Sequence, residues 1–563
     1  MKRRKFLESA LILSGAAASV PLVGCQGTGA ARRKPYSYEL QADLVVAGGG
    51  MGGCAAALAA IRNGLTVVMT EETDWIGGQM TSQGVPPDEH RWIEEQGATS
   101  LYRELRNRIR DYYRNNYPLT DEARGTELLN PGNGAVSPLC SEPRVILSAL
   151  QDMMAPHVSS GKLTILTRYR ITAADVTGDR VQALKATSLL TGREITLSAP
   201  WFADATELGD LLPLTGTEFV TGAESRQETG ELHAHATGDP DNHQAFTACF
   251  AMDYRPGTEN YIDKPAEYDF WKDYVPELTP PWPGRLLDLT YTHPPTLRPM
   301  ELGFHPEGIR TGNTLNLWVY RRIIHKANFT PGAYAGDISV VNWPQNDYML
   351  GNLTDDFDHH FERGKQLSLS LFYWLQTEVP RPDGGQGWPG LRLRRDIMGT
   401  EDGLAKYPYV RESRRIKAEF TILEEHVGAE NRELVTGRQE TTGADFFDSV
   451  GVGYYHIDLH PSTRGINYVD FPSLPFQIPL GAMLPVRMEN LLPANKNIGT
   501  THITNGCYRL HPVEWSIGES VGMLAAWSKK KNTLPRAVRE NKGMLQDFQD
   551  FIRSQGIQTR WRL

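Results

Sequence analysis

His502, Arg509 and His511 fall within one short polar segment near the carboxyl end, and their types suit the handling of protons and anions. An imidazole takes or gives a proton near neutral pH, and a guanidinium holds an anion with a rigid fork of donors. The same three would serve equally as hydrogen-bonding lining of a pocket. Earlier, His456, Asp458 and His460 alternate with Ile457 and Leu459, so in a strand all three polar side chains share one face. That face suits substrate binding or catalysis; a divalent ion would need a further ligand, and no metal-ligand spacing is present. Asn346 and Asp347 stand among Trp, Tyr and amide residues, a mixture that suits a polyhydroxylated ligand but also builds ordinary loops. The run Arg411-Glu412-Ser413-Arg414-Arg415 reads first as a solvated helix face.

Such side chains need a frame, and the amino-terminal part supplies one. Asp43-Leu44-Val45-Val46-Ala47 runs into Gly48-Gly49-Gly50-Met51-Gly52-Gly53, followed by the Ala-rich stretch from Cys54 to Ala60 and a second apolar run ending at Glu71. Strand, G-x-G-x-x-G turn, small-residue helix and acidic strand end make the βαβ unit that holds a dinucleotide. Gly48 permits the tight turn, Gly50 lets backbone approach a pyrophosphate, and Gly53 lets helix pack on strand, with Met51 and Gly52 between them. The helix start offers free N–H groups to phosphates. Glu71 or Glu72 is placed to bind ribose hydroxyls. Gly77, Gly78 and Gln79 belong to a glycine-bearing loop able to press against a flat ring system.

Further along, Asp88 to Tyr117 and Pro143 to Met154 read as helices, with strands over Leu163 to Ile171, Val181 to Leu190 and Glu194 to Leu197. Asp204-Ala205-Thr206-Glu207 closes that passage. A second strong segment, Leu491 to His502 and on to Ala526, gives a strand, a polar turn and a helix starting near Val513.

Together these segments resemble the large family of FAD-dependent oxidoreductases with the glutathione-reductase type of dinucleotide fold. They are most similar to its exported bacterial branch, which carries the Trp-Ile-Gly-Gly-Gln loop. The resemblance covers about Asp43 to Thr221 and Pro479 to Trp527. It implies that Asp204 and Thr206 close on the flavin pyrophosphate and ribityl chain, with Ile171 in the same cofactor set. It also implies that Asn497, Gly518 and Glu519 lie on the segment abutting the flavin ring. Glu207 stands where relatives often have glycine. In that branch an arginine-rich stretch precedes the return to the flavin domain, so Arg411 or Arg414 would reach the pocket. His502, Arg509 and His511 would then stand near the reactive face, an imidazole taking the hydroxyl or amine proton while hydride leaves the substrate.

At the start, Lys2-Arg3-Arg4-Lys5-Phe6-Leu7 and the mildly apolar Ala10 to Val20 read as a twin-arginine export signal. Leu22-Val23-Gly24-Cys25 resembles a lipoprotein cleavage box, with Cys25 the lipidated residue. The remaining cysteines, Cys54, Cys140, Cys249 and Cys507, show no C-x-x-C spacing, and a disulfide among them stays open. A chain of 563 residues, 40% hydrophobic with a net charge of -9, can build more than one packed domain and makes nucleic acid an unexpected partner.

The expected architecture is α/β. Residues 1-25 form the signal, 26-38 a linker, 39-221 the first part of a Rossmann-like FAD domain, 222-475 an inserted α+β substrate domain, 476-530 the return segment and 531-563 a helical cap. The expected activity is that of an exported, periplasmic, lipid-anchored FAD-dependent oxidoreductase, with no other membrane association and no metal. It would move hydride from a C–H bond of a small hydroxylated molecule, such as a sugar, to flavin, and an unidentified acceptor or donor would reset the flavin. Asn346, Asp347, Arg411, His456 and Asp458 are the substrate candidates. A fumarate-reductase-type enoate reductase, or a flavin electron-transfer component without its own substrate, are the alternatives.

Overall fold

The computed structural model describes residues 38–309 and 314–563, and Tyr38–Leu563 forms one compact unit. The leader and Cys25 lie outside the described residues. After an edge strand β1 (Tyr38–Gln41), strand β2 (Leu44–Ala47) is completely buried and delivers the chain into α1 (Met51–Arg62). Next come β3 (Val67–Glu71), helices α2 (Ser100–Asn116) and α3 (Pro143–Ser159), and β4 (Leu163–Thr167). The meander β5 (Tyr169–Thr177), β6 (Arg180–Ser188) and β7 (Glu194–Ser198) leads to β8 (Trp201–Asp204).

Residues beyond 221 add β9 (Phe250–Tyr254), β10 (Arg322–Ile324), β11 (Ile338–Val341), helix α4 (Phe357–Thr377) and β12 (Leu391–Leu393). They are followed by β13 (Ile457–Leu459) and β14 (Val469–Phe471). The return passage holds β15 (Leu491–Pro493), α5 (His502–Tyr508) and α6 (His511–Lys531), then the short α7 (Pro535–Glu540) and α8 (Lys542–Ser554).

Five strands form one parallel sheet in the order β15-β8-β2-β3-β4. Buried strands of a covered parallel sheet read as unbroken apolar runs, which is why Leu44 to Ala47 contains no polar alternation. Its edge strand β15 arrives from the far end of the sequence. The meander makes a second sheet with β1, and β9 to β12 make a third in the order β10-β11-β9-β12, with α4 adding to its aromatic core.

Helices α1 and α6 cross at glycine. A Cβ on Gly52 would lie 1.7 Å from the Ala494 carbonyl oxygen, and one on Gly518 would lie 1.9 Å from that of Gly52. These positions therefore set how closely the two helices approach, and both helices are buried along nearly all their length.

Two local expectations are corrected. Residues 88–99 are turns and α2 begins only at Ser100, where the Thr99 side chain accepts from the Tyr102 N–H as an N-cap. The arginine run at 411–415 is not a solvated helix: it is extended, pairs through Arg415–Ile416 with Phe219–Val220, and buries Arg411, Glu412, Ser413 and Arg415. Internal ion pairs replace the water that would have kept it outside. Cys54, Cys140, Cys249 and Cys507 are buried free thiols. Among the described residues no helix is long and apolar enough to cross a membrane, and no acidic, His or Cys cluster could hold a metal ion.

Candidate active site

At the end of β2, Gly48 takes φ +94°, turning the chain so that Gly50 caps α1. Glu71 at the end of β3 accepts from the Gly49 N–H at 3.1 Å and from the Thr73 N–H and hydroxyl at 2.8 and 2.7 Å. Burial pushes its carboxyl up to about 7. Gly48, Gly50, Glu71, Glu72, Gly78 and Ile171 line one cavity together with Thr206 and Glu207. Glu72 also pairs with Arg170 at 2.9 Å. Asp204 braces this wall by accepting from the Thr206 N–H and hydroxyl and from the Leu211 N–H. Asn497 spans inward, donating to the Asp204 carbonyl at 3.1 Å and accepting from the Asn495 N–H at 3.2 Å.

The loop after β3 closes down on this cradle. Gly77 N–H donates to the Gly49 carbonyl at 2.7 Å, and a Cβ on Gly78 would lie 2.8 Å from the Gly50 Cα. Gln79 donates to the Arg509 carbonyl at 2.9 Å, while its own amide oxygen has no partner. Lys496, wholly buried, is bonded to Glu207 and lies 3.3 Å from Glu514. Orphaned buried atoms gather on these converging segments: both amide atoms of Gln83, Glu207 Oε1, Glu514 Oε2 and His511 Nε2. Buried polar atoms rarely go unpaired, and of these Glu207 Oε1 belongs to a residue on the cavity wall, so a cavity beside a glycine cradle with such a wall fits a long polar dinucleotide.

Two members of the cofactor set face elsewhere. Gly518 meets the Gly52 backbone, and Glu519 accepts from Trp515 Nε1 at 3.1 Å on the side of α6 where Trp515 packs on Tyr102. They shape the helix pair; neither lines the cavity. Burial pushes the Glu519 carboxyl from 4.5 to about 7. A carboxyl raised on folding contributes stability that is fully present below its unfolded value and lost as pH climbs through the folded one. The parent should therefore lose on the order of 3 kcal/mol more than Glu519→Gln between pH 4.5 and 8. Urea midpoints at the two pH values check this, and equal pH slopes would refute it.

Beyond the cradle lies a larger cavity. Arg321, Arg411 and Arg509 reach it together with Asp88, Asp458 and Asp470, and His456 and His460 face it from the two ends of β13. The alternation read in 456–460 thus puts all three polar side chains on one wall. Tyr320, Tyr409, Tyr455 and Tyr468 supply aromatic surface.

The charges are paired in sequence-distant couples: Arg321 with Asp88 at 3.2 Å, Arg411 with Asp347 at 2.9 Å and Arg509 with Asp458 at 2.8 Å. Behind the wall, Asp347 Oδ2 lies 2.6 Å from His460 Nδ1, and Asp458 lies 3.6 Å from His460 Nε2. Asp347 is buried, which alone would raise its pKa, yet Arg411 and His460 hold it below the usual carboxylate range. Burial disfavours a charged His456, but the hydrogen bond to Asp470 at 3.0 Å and the Asp458 charge outweigh it and raise its pKa.

Arg509 joins the two cavities, through its carbonyl to Gln79 and through its guanidinium to Asp458. His511 lines neither cavity, its Nδ1 accepting from the Asp88 N–H at 2.8 Å. The proton of the neutral ring is then on Nε2. Burial pulls its pKa down to about 3, which argues against the base that its type alone suggests. His502 is elsewhere: its Nδ1 lies 2.8 Å from Glu412 within a buried cluster that includes Arg415 and Glu224. It does not line the cavity, because a carboxylate from a distant segment has captured it. Asn346 is also internal, accepting from the Trp343 N–H and donating to Ser368. Asp347 touches the site only through Arg411 and His460.

The sequence model of the FAD dependent oxidoreductase family matches residues 43–552. The chain belongs to that family. As one of the FAD dependent oxidoreductases it is an enzyme that uses FAD, and the glycine cradle is where the residues suit that cofactor. No curated protein sequence matches it significantly. Among solved structures it is similar to the glycerol-3-phosphate dehydrogenase from Bacillus halodurans complexed with FAD, at 14% identity and a TM-score of 0.24. That match covers 38% of this chain and 40% of the other. The rebeccamycin biosynthetic enzyme RebC with reduced flavin matches at 16% identity and a TM-score of 0.25, with 39% of each chain covered. L-proline dehydrogenase from P. horikoshii matches at 13% identity and a TM-score of 0.18, over 34% of this chain and 25% of that one. The oxidoreductase thus spans between a quarter and two fifths of the length of these proteins.

Arg321, Asp88 and Tyr455 were not among the residues expected at the site. Asp88 follows a proline pair, and Arg321 lies in Tyr320-Arg321-Arg322 with no spacing rule to single it out. His460 carried a usable signal, its period-two register with His456 and Asp458.

Proposed function

We propose that this enzyme oxidises a C–H bond bearing a hydroxyl group in a small polyhydroxylated molecule. The observation that carries the reading is the Asp347–His460 couple on the wall of an aromatic, charged cavity next to the cradle. FAD, when bound, supplies the two-electron acceptor. His460 Nδ1 is committed to Asp347, and its Nε2, 3.6 Å from Asp458, is the nitrogen that takes the substrate hydroxyl proton as that carbon is oxidised. Arg411 anchors Asp347, and Asp458, held by Arg509, orients the far side of the imidazole. Tyr455 and Tyr409 offer faces for the substrate's CH groups.

The meander β5–β7 set between two strands of the parallel sheet supports a glutathione-reductase type of FAD domain. The leader residues support twin-arginine export and anchoring through Cys25 on the periplasmic side. In anaerobic titration with sugars, polyols and hydroxy acids, one class should bleach the flavin. His460→Gln should slow that bleaching by about 10²- to 10⁴-fold with unchanged FAD content. An unaltered rate would remove His460 from the chemistry. If no hydroxylated compound bleaches the flavin while an enoate reoxidises the reduced enzyme, the reaction runs in the opposite direction.

A further inference from the structure

We propose that the substrate carries a carboxylate, as a sugar acid does, and that Arg321 is the residue that binds it. The inference rests on the cavity being the substrate site.

The unpartnered polar atoms on the cavity wall are of one kind. Arg321 Nε and Nη1, Arg411 Nε, Arg509 Nε and Trp343 Nε1 are buried N–H groups without an acceptor, and the Tyr468 hydroxyl is likewise unpaired. No buried carboxylate oxygen on the same wall lacks a partner. A neutral sugar presents hydroxyls that donate as well as accept, and it would call for free acceptors too. An ionised carboxylate only accepts, so it matches the buried unpaired guanidinium and indole N–H groups of this wall.

Arg321 stands out among the three arginines. Arg411 spends its terminal nitrogens on Asp347, the Ala245 carbonyl, Thr247 and Asn342. Arg509 spends one on the Asp458 side chain and carbonyl and the other on Tyr409. Among the described residues Arg321 hydrogen-bonds only to Asp88, at 3.2 Å through one nitrogen, with the Tyr320 ring 5.0 Å from its Cζ, although it is just 8% exposed. A buried guanidinium so thinly partnered gains two or more charge-assisted hydrogen bonds when an oxyanion arrives. The charge already present decides between oxyanions. Asp88, Asp458 and Asp470 share the cavity, so a monoanion is accommodated with less repulsion than a phosphate dianion.

The test is equilibrium binding to the FAD-loaded enzyme by calorimetry, using a hexuronate, an aldonate, the matching neutral hexose and its 6-phosphate. One of the two acids is expected to bind at least tenfold more tightly than the hexose and the phosphate. In Arg321→Gln that advantage should disappear, with FAD content and melting temperature checked to show an intact fold. Equal affinity for acid and hexose in the parent overturns the proposal without any variant. So do preference for the phosphate, failure to bind either acid, and an acid preference that survives in a folded Arg321→Gln. Tight acid binding without flavin bleaching would support this assignment and sink the dehydrogenase reading; bleaching by acid and hexose at equal affinities would do the reverse.

Discussion

Gly52→Ala protein is expected to emerge colourless, with a melting temperature well below that of the parent. The added methyl would sit 1.7 Å from the Ala494 carbonyl oxygen, a separation no non-bonded carbon and oxygen adopt. Backbone must therefore move, and the backbone concerned belongs to the first turn of α1 and to the segment joining β15 to α5 and α6. Core overpacking costs about 1–3 kcal/mol where side chains can give way, and more where main chain must. The same displacement pulls the α1 amino end away from Gly50, so the loss falls on cofactor retention as well as on stability. Gly64→Ala is the matched control: Gly64 has φ +90° and nothing near its would-be Cβ, so its cost is local backbone strain and the protein should stay yellow. The flavin-to-protein absorbance ratio and thermal melts read both. A Gly52→Ala enzyme with full FAD and a parental melting temperature would show that α1 and α6 do not depend on this contact.

Lys496→Met should be the second severe change. It leaves Glu207 and Glu514 facing one another across a dry cradle without their shared cation. Removing one partner of a buried ion cluster costs about 3–5 kcal/mol because the remaining charge is uncompensated. Burial already pushes Glu514 up to about 7, despite the lysine. In the variant Glu514 should rise further, so lost stability returns as pH falls and it takes up a proton. Urea unfolding at pH 8 and at pH 5 should show a large deficit at the first and a smaller one at the second. Lys496→Met combined with Glu207→Gln and Glu514→Gln should recover much of the deficit at pH 8. A single variant as stable as the parent at pH 8 would mean that the cluster is not the buried ion network described here.

The parallel sheet and its cradle could be read in the sequence because their signals are local. An apolar run, a glycine turn and an alanine helix occupy consecutive residues from Asp43 to Ala60. The register of His456, Asp458 and His460 was legible for the same reason, since a strand's period needs no partner. The large cavity was not, because Asp88, Arg321, Arg411, Asp458 and Arg509 come from five separate segments that meet only in the fold. His502 and His511 show the limit most clearly. They lie on adjoining helices and share a residue type, yet Glu412 engages one and burial keeps the other from taking a proton. The arginine run misled in the opposite sense, since charge in one dimension does not reveal that matching acids wait in the interior.

Because Gly518 seats against Gly52, the prosthetic group's berth depends on two stretches that lie far apart in the sequence. A nascent chain that has already released β2 and α1 holds only half of it. Any product cut short before α6 would therefore stay empty however much cofactor it is offered.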